Sequence, residues 1–85
     1  MASPPLQQVQ IFVKSFTGKT FALSVCPEYT INFMKLLIEQ KEGIPTEMQR
    51  ILFAGRSLDD NKTIKYYKIQ HESTLQMFVP IGKKS

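Results

Sequence analysis

Few side chains in this 85-residue sequence belong to types that perform chemistry, so their spacing decides what they could do together. There is one cysteine, Cys26, and one histidine, His71. A cysteine nucleophile needs a base within hydrogen-bond reach, and nothing in the sequence brings His71 to Cys26. A free thiol and a solvated imidazole explain both residues. Asp59-Asp60 with Glu72 or His71 offers oxygen and nitrogen donors. A metal site needs about 3–4 such ligands in register, and an ordinary polar loop accounts for this group. Thr17-Gly18-Lys19-Thr20 has the Gly-Lys-Thr order of a phosphate loop. It lacks the first glycine at the spacing such a loop needs, and it leads into a strand rather than a helix. The reading expects no enzyme, no metal and no cofactor.

Length and composition set the frame for these residues. Eighty-five residues make at most one domain, and a chain this short needs an efficient core. The sequence is 42% hydrophobic and 21% charged, as in ordinary globular proteins. One cysteine excludes an internal disulfide and fits a reducing compartment, so a cytoplasmic or nuclear setting is expected. Met1-Ala2-Ser3-Pro4-Pro5 has no basic region followed by an apolar one, unlike a secretory signal. No apolar run reaches the ~18 residues of a membrane span, so no membrane partner is expected. Net charge is +4, which raises nucleic-acid binding as a question. The basic residues are scattered and interleaved with acidic ones, and a solvated mixed surface is the expectation.

Residues 1–8 contain Pro4-Pro5 and two glutamines and read as a disordered lead-in. A domain over 9–80 follows, and 81–85 reads as a tail or the start of a linker. Gln10 to Lys14 and Thr20 to Val25 have the β-branched and aromatic content of strands. Gly18 suits a bulged hairpin turn between them. Alternation puts Ile11 and Val13 on one face and Phe12 on the other. Pro27 ends the second strand. A helix is expected from Ile31 to Glu42, with Thr30 as N-cap, Gly43 closing it and Pro45 preventing resumption. Arg50 to Phe53 reads as a strand, Ala54-Gly55 as a turn, and Arg56-Ser57-Leu58 as a short return strand. Thr63 to Tyr67 suits one helical turn capped by Thr63. Thr74 to Val79 is the last strand, with Leu75, Met77 and Val79 inward and Gln76 and Phe78 outward. The order implies an α+β roll, a mixed sheet with one main helix across one face.

Some apolar residues exceed what this core needs. Ile51, Leu52 and Phe53 are consecutive, so if Ile51 is buried Leu52 faces out. Phe78 faces out on the last strand, and Phe16 sits on the hairpin tip. If their strands are neighbours, these three make an apolar patch that either docks a partner or only shields the sheet. On the helix, Ile31, Met34 and Ile38 share one stripe. Phe33, Leu36 and Leu37 fall in a second sector. They pack under a neighbouring loop or form an extra helix surface.

Gln10-Ile11-Phe12-Val13-Lys14, Thr17-Gly18-Lys19-Thr20, Lys41-Glu42-Gly43-Ile44-Pro45, Gln49-Arg50, Phe53-Ala54-Gly55 and Glu72-Ser73-Thr74-Leu75 together resemble the ubiquitin family. The resemblance runs without gaps from Val9 to about Val79 and implies the β-grasp fold. It implies a partner-binding patch at Phe16, Leu52, Gln76 and Phe78. Gln76 stands where the family has a titratable histidine. A secondary patch is implied at Ile44, Val79 and Ile81. Lys14, Lys19, Lys35 and Lys41 match family lysines that carry modifications, whereas Arg56 and His71 replace the commonest chain-forming ones.

The sequence departs from the family at its end. Pro80-Ile81-Gly82-Lys83-Lys84-Ser85 replaces the slender Gly-Gly tail through which family members are conjugated. The expectation is a non-conjugated, monomeric interaction domain that docks ubiquitin-binding domains or proteasomal receptor proteins. A divergent modifier acting in conjugation, and a fusion partner that only aids folding, stay open as alternatives.

Overall fold

The computed structural model describes residues 8–15 and 17–79. The chain runs β1 (Val9–Ser15), β2 (Thr20–Val25), α1 (Ile31–Glu42), a 3-10 turn (Thr46–Met48), β3 (Arg50–Phe53), β4 (Arg56–Ser57), a second 3-10 turn (Lys65–Tyr67) and β5 (Thr74–Phe78). The strands form one sheet in the order β2-β1-β5-β3-β4. The first and last strands pair in parallel, with Val13 beside Leu75, and all other pairings are antiparallel. This mixed sheet with one main helix is a β-grasp.

Local chemistry sets the element ends. In the β1–β2 turn the Ser15 N–H donates to the Lys19 carbonyl at 2.7 Å, and Gly18 takes φ 92, a value that favours glycine. Thr30 Oγ1 accepts from the Phe33 N–H at 3.1 Å and starts α1. Gly43 ends α1 in the left-handed conformation, and its N–H donates to the Glu39 carbonyl at 2.7 Å. Ala54 and Gly55, at φ 55 and 78, make the tight two-residue link between β3 and β4.

The core lies between the sheet and α1. Ile11 and Val13 from β1, Phe21, Leu23 and Val25 from β2, and Leu75 and Met77 from β5 meet Ile31, Met34 and Ile38 of the helix. Ile51, Leu58, Ile64 and Ile69 close its far end. Each large apolar side chain buried this way stabilises the fold by roughly 1.5–3 kcal/mol.

Of the helix sector left open by the sequence, Leu37 is half-buried and packs against the core. Two expectations are corrected. Leu58 lies beyond β4 and is buried under the sheet edge, its N–H donating to the Ile51 carbonyl at 3.0 Å. Lys35 is not an open modification site. It is buried on the core side of α1, and its Nζ lies 2.7 Å from Asp60 Oδ1.

Candidate functional site

The outer face of the sheet, away from α1, collects side chains from all five strands. Cα register makes a row from Thr20 of β2 through Lys14, Gln76 and Leu52 to Ser57 of β4. The next row pairs Arg50 with Phe78. Leu52 and Phe78 are diagonal neighbours on adjacent strands, a separation of about 7–8 Å that large side chains span. Phe78 is 44% exposed, Gln76 is exposed and Leu52 is half-buried. Phe12, beside Thr74 and Ala22, adds a half-buried ring on the same face.

Inward residues alternate with these along each strand. Ile51 and Met77 are buried partners, so Leu52, Gln76 and Phe78 must point the other way. A cavity of about 230 Å³ opens between the β1–β2 turn and β5, lined by Lys14, Ser15, Gly18, Gln76, Met77 and Phe78. It is large enough for part of a side chain from a partner. Two charged residues on this face, Lys14 and Arg50, are both basic. Phe16, expected to complete the patch, lies outside the described residues.

The residues of the implied secondary patch stand separately. Ile44 is half-buried and packs against the core, Val79 is half-buried, and Ile81 lies outside the described residues. On the helix, Phe33 and Leu36 are each 41% exposed, and the Tyr29 ring meets Phe33 edge-on at 4.6 Å. Of the lysines singled out by sequence, Lys14, Lys19 and Lys41 are exposed. Lys19 Nζ also donates to Glu42 Oε1 at 2.9 Å.

The polar candidates have structural work. His71 Nδ1 accepts from the Gln10 N–H at 3.1 Å, and the Gln10 carbonyl accepts from the Glu72 N–H, so this turn fastens the start of β1. Cys26 is buried. Its sulfur, through a hydrogen bond and its charge once ionised, raises the Tyr29 hydroxyl above the ordinary tyrosine range. Gln49 is buried, and its Nε2 donates to the carbonyls of Lys35 and Ile44, both at 2.9 Å. Sequence reasoning missed Tyr66, which at 58% is a highly exposed large side chain. Two adjacent tyrosines in a polar stretch were the available signal, since one turn holds only one of them inward.

Comparison with known proteins agrees with the fold. The family model described as "Ubiquitin family" matches residues 11–80. The chain is 34% identical over 71 residues to ubiquitin-like protein 1 of Schizosaccharomyces pombe, covering 84% of this chain and 91% of that one. It is 35% identical over 71 residues to ubiquitin-like protein NEDD8 of Dictyostelium discoideum, covering 84% and 92%. Similarity to ubiquitin-like protein 4A of Rattus norvegicus is 33% over 76 residues, covering 88% of this chain and 48% of that protein.

Proposed function

The chain belongs to the ubiquitin family, and we propose that it serves as a non-conjugated interaction domain docking ubiquitin-binding domains or proteasomal receptor proteins. The observation that carries this reading is the placement of Leu52, Gln76 and Phe78 on adjacent strands of one outward face. The core does not need these residues, and an apolar cluster ringed by Lys14 and Arg50 is what a partner with an apolar anchor can use. A cytoplasmic or nuclear setting and a monomeric state belong to the same proposal.

The test is an NMR titration of the labelled chain with an isolated ubiquitin-binding domain. Shifts should gather at Phe16, Leu52, Gln76 and Phe78. Binding without perturbation there sinks the docking surface. A second reading, a modifier acting in conjugation, is favoured by the match to nearly the whole length of small ubiquitin-like relatives. Incubation with activating enzyme and ATP separates the two, because only a modifier forms a thioester.

A further inference from the structure

Tyr67 and Tyr66 are adjacent, but they do opposite things. The ring of Tyr67 packs against the core, and its hydroxyl accepts from the Asp59 N–H at 2.8 Å. Tyr66 is 58% exposed. Its ring is nevertheless held in place. The Tyr66 N–H donates to Thr63 Oγ1 at 3.0 Å, the Tyr67 ring meets it at right angles with centroids 5.0 Å apart, and Lys62 Nζ lies 4.9 Å from its centroid. The result is an oriented aromatic surface that the fold does not cover.

The charge along this stretch of sequence has one sign. From Asn61 to His71 the sequence holds Lys62, Lys65 and Lys68 and no acidic residue. None of the three lysines makes an ion pair among the described residues, whereas the nearby Asp60 is already paired with Lys35. Lys68 adopts φ 59, a left-handed conformation that glycine or asparagine takes at lower cost. A lysine there places another cation beside the turn at some expense to the backbone.

We propose that the Lys62–Lys68 turn is a second docking site, one that takes an acidic peptide segment carrying an aromatic or aliphatic side chain. Carboxylates meet the three lysine ammonium groups, and the apolar side chain stacks on the Tyr66 ring. The basic island is short and bounded. Asp59 lies on one side, and Glu28 on the other, next to Pro27 whose carbonyl accepts from the Lys65 N–H. A nucleic-acid backbone needs a longer basic track and meets carboxylates at both edges here. A cluster of two or three carboxylates fits within them. The site lies with the start of α1, to which this loop is joined by the Ile31 N–H to Lys62 carbonyl bond and the Thr30–Thr63 bridge. It is therefore separate from the outer face of the sheet.

The test titrates the intact labelled chain with a synthetic glutamate-rich peptide containing one phenylalanine. Amide shifts are expected to centre on Lys62–Lys68. Affinity should fall about tenfold when Lys62, Lys65 and Lys68 are together changed to glutamine, and again for Tyr66→Ala. All four side chains are exposed, and unchanged amide dispersion elsewhere verifies the fold of each variant. Leu52→Ala should leave this binding intact, which separates the site from the sheet surface. The proposal is overturned if the peptide does not bind. It also falls if shifts centre on Lys14 and Arg50, or if the lysine variant binds as well as the parent. Tighter binding of this turn to a single-stranded oligonucleotide or to phosphatidylserine vesicles than to the peptide overturns it as well.

Discussion

Leu52 contributes little to the core, being half-buried on the outer face of the sheet. Leu52→Ala should lower stability by about 1 kcal/mol or less, read from urea unfolding, while weakening partner binding severalfold. A loss of several kcal/mol would mean that Leu52 supports the core after all. Its outward position is legible in the sequence, because three consecutive apolar residues cannot share one face of a strand. Lys35 is less legible. Its spacing from Ile31 and Ile38 puts it on the buried stripe, but a lysine reads as surface until Asp60 is found beside it. Tyr29 gives a pH prediction. Its hydroxyl is held above the ordinary value of about 10 by the Cys26 sulfur, so in alkali the unfolded chain loses this proton first. The stabilising contribution is complete below pH about 10 and disappears as pH rises through the native value. Tyrosinate absorbance should show a late-ionising group that Tyr29→Phe removes. The same difference spectrum in wild type and variant would contradict the assignment.

The helix carries both halves of its fate in its pattern. Thr30, Gly43 and Pro45 mark its ends, and Ile31, Met34 and Ile38 mark its buried stripe, as the structure has them. Periodicity could not place Leu37, which sits one step of about 100° from both faces and is decided by what packs beside it. The 3-10 turn at Lys65–Tyr67 is too short for any period, so the inward tyrosine and the outward one look alike in sequence. The two helix faces predict opposite outcomes for similar changes. Met34→Ala should cost about 2–5 kcal/mol, by loss of a fully buried side chain. Leu36→Ala should stay within about 0.5 kcal/mol in the same thermal or urea measurement. Equal losses would show that the outer helix face is covered in solution.

At the scale of the molecule, an apolar surface with basic flanks lies on the outer face of the sheet, and a cationic aromatic turn lies beside the start of α1. Topology was legible as a roll with one mixed sheet, but the parallel pairing of its first and last strands rests on contacts more than 60 residues apart that no local pattern encodes. That pairing has a mechanical meaning. Parallel neighbours put the beginning of β1 and the end of β5 at opposite ends of one ladder, from Phe12–Thr74 to Ser15–Met77. Tension applied through Val9 and Val79 slides these strands lengthwise, so their hydrogen bonds carry the load together. Tension applied across the β3–β4 hairpin, at Arg50 and Ser57, opens its bonds one after another. Single-molecule pulling should therefore require a distinctly higher rupture force from the first pair of handles than from the second. Equal forces would show that the central ladder is not what resists. A machine that unravels this fold through β1 or β5 would meet its strongest resistance at that strand.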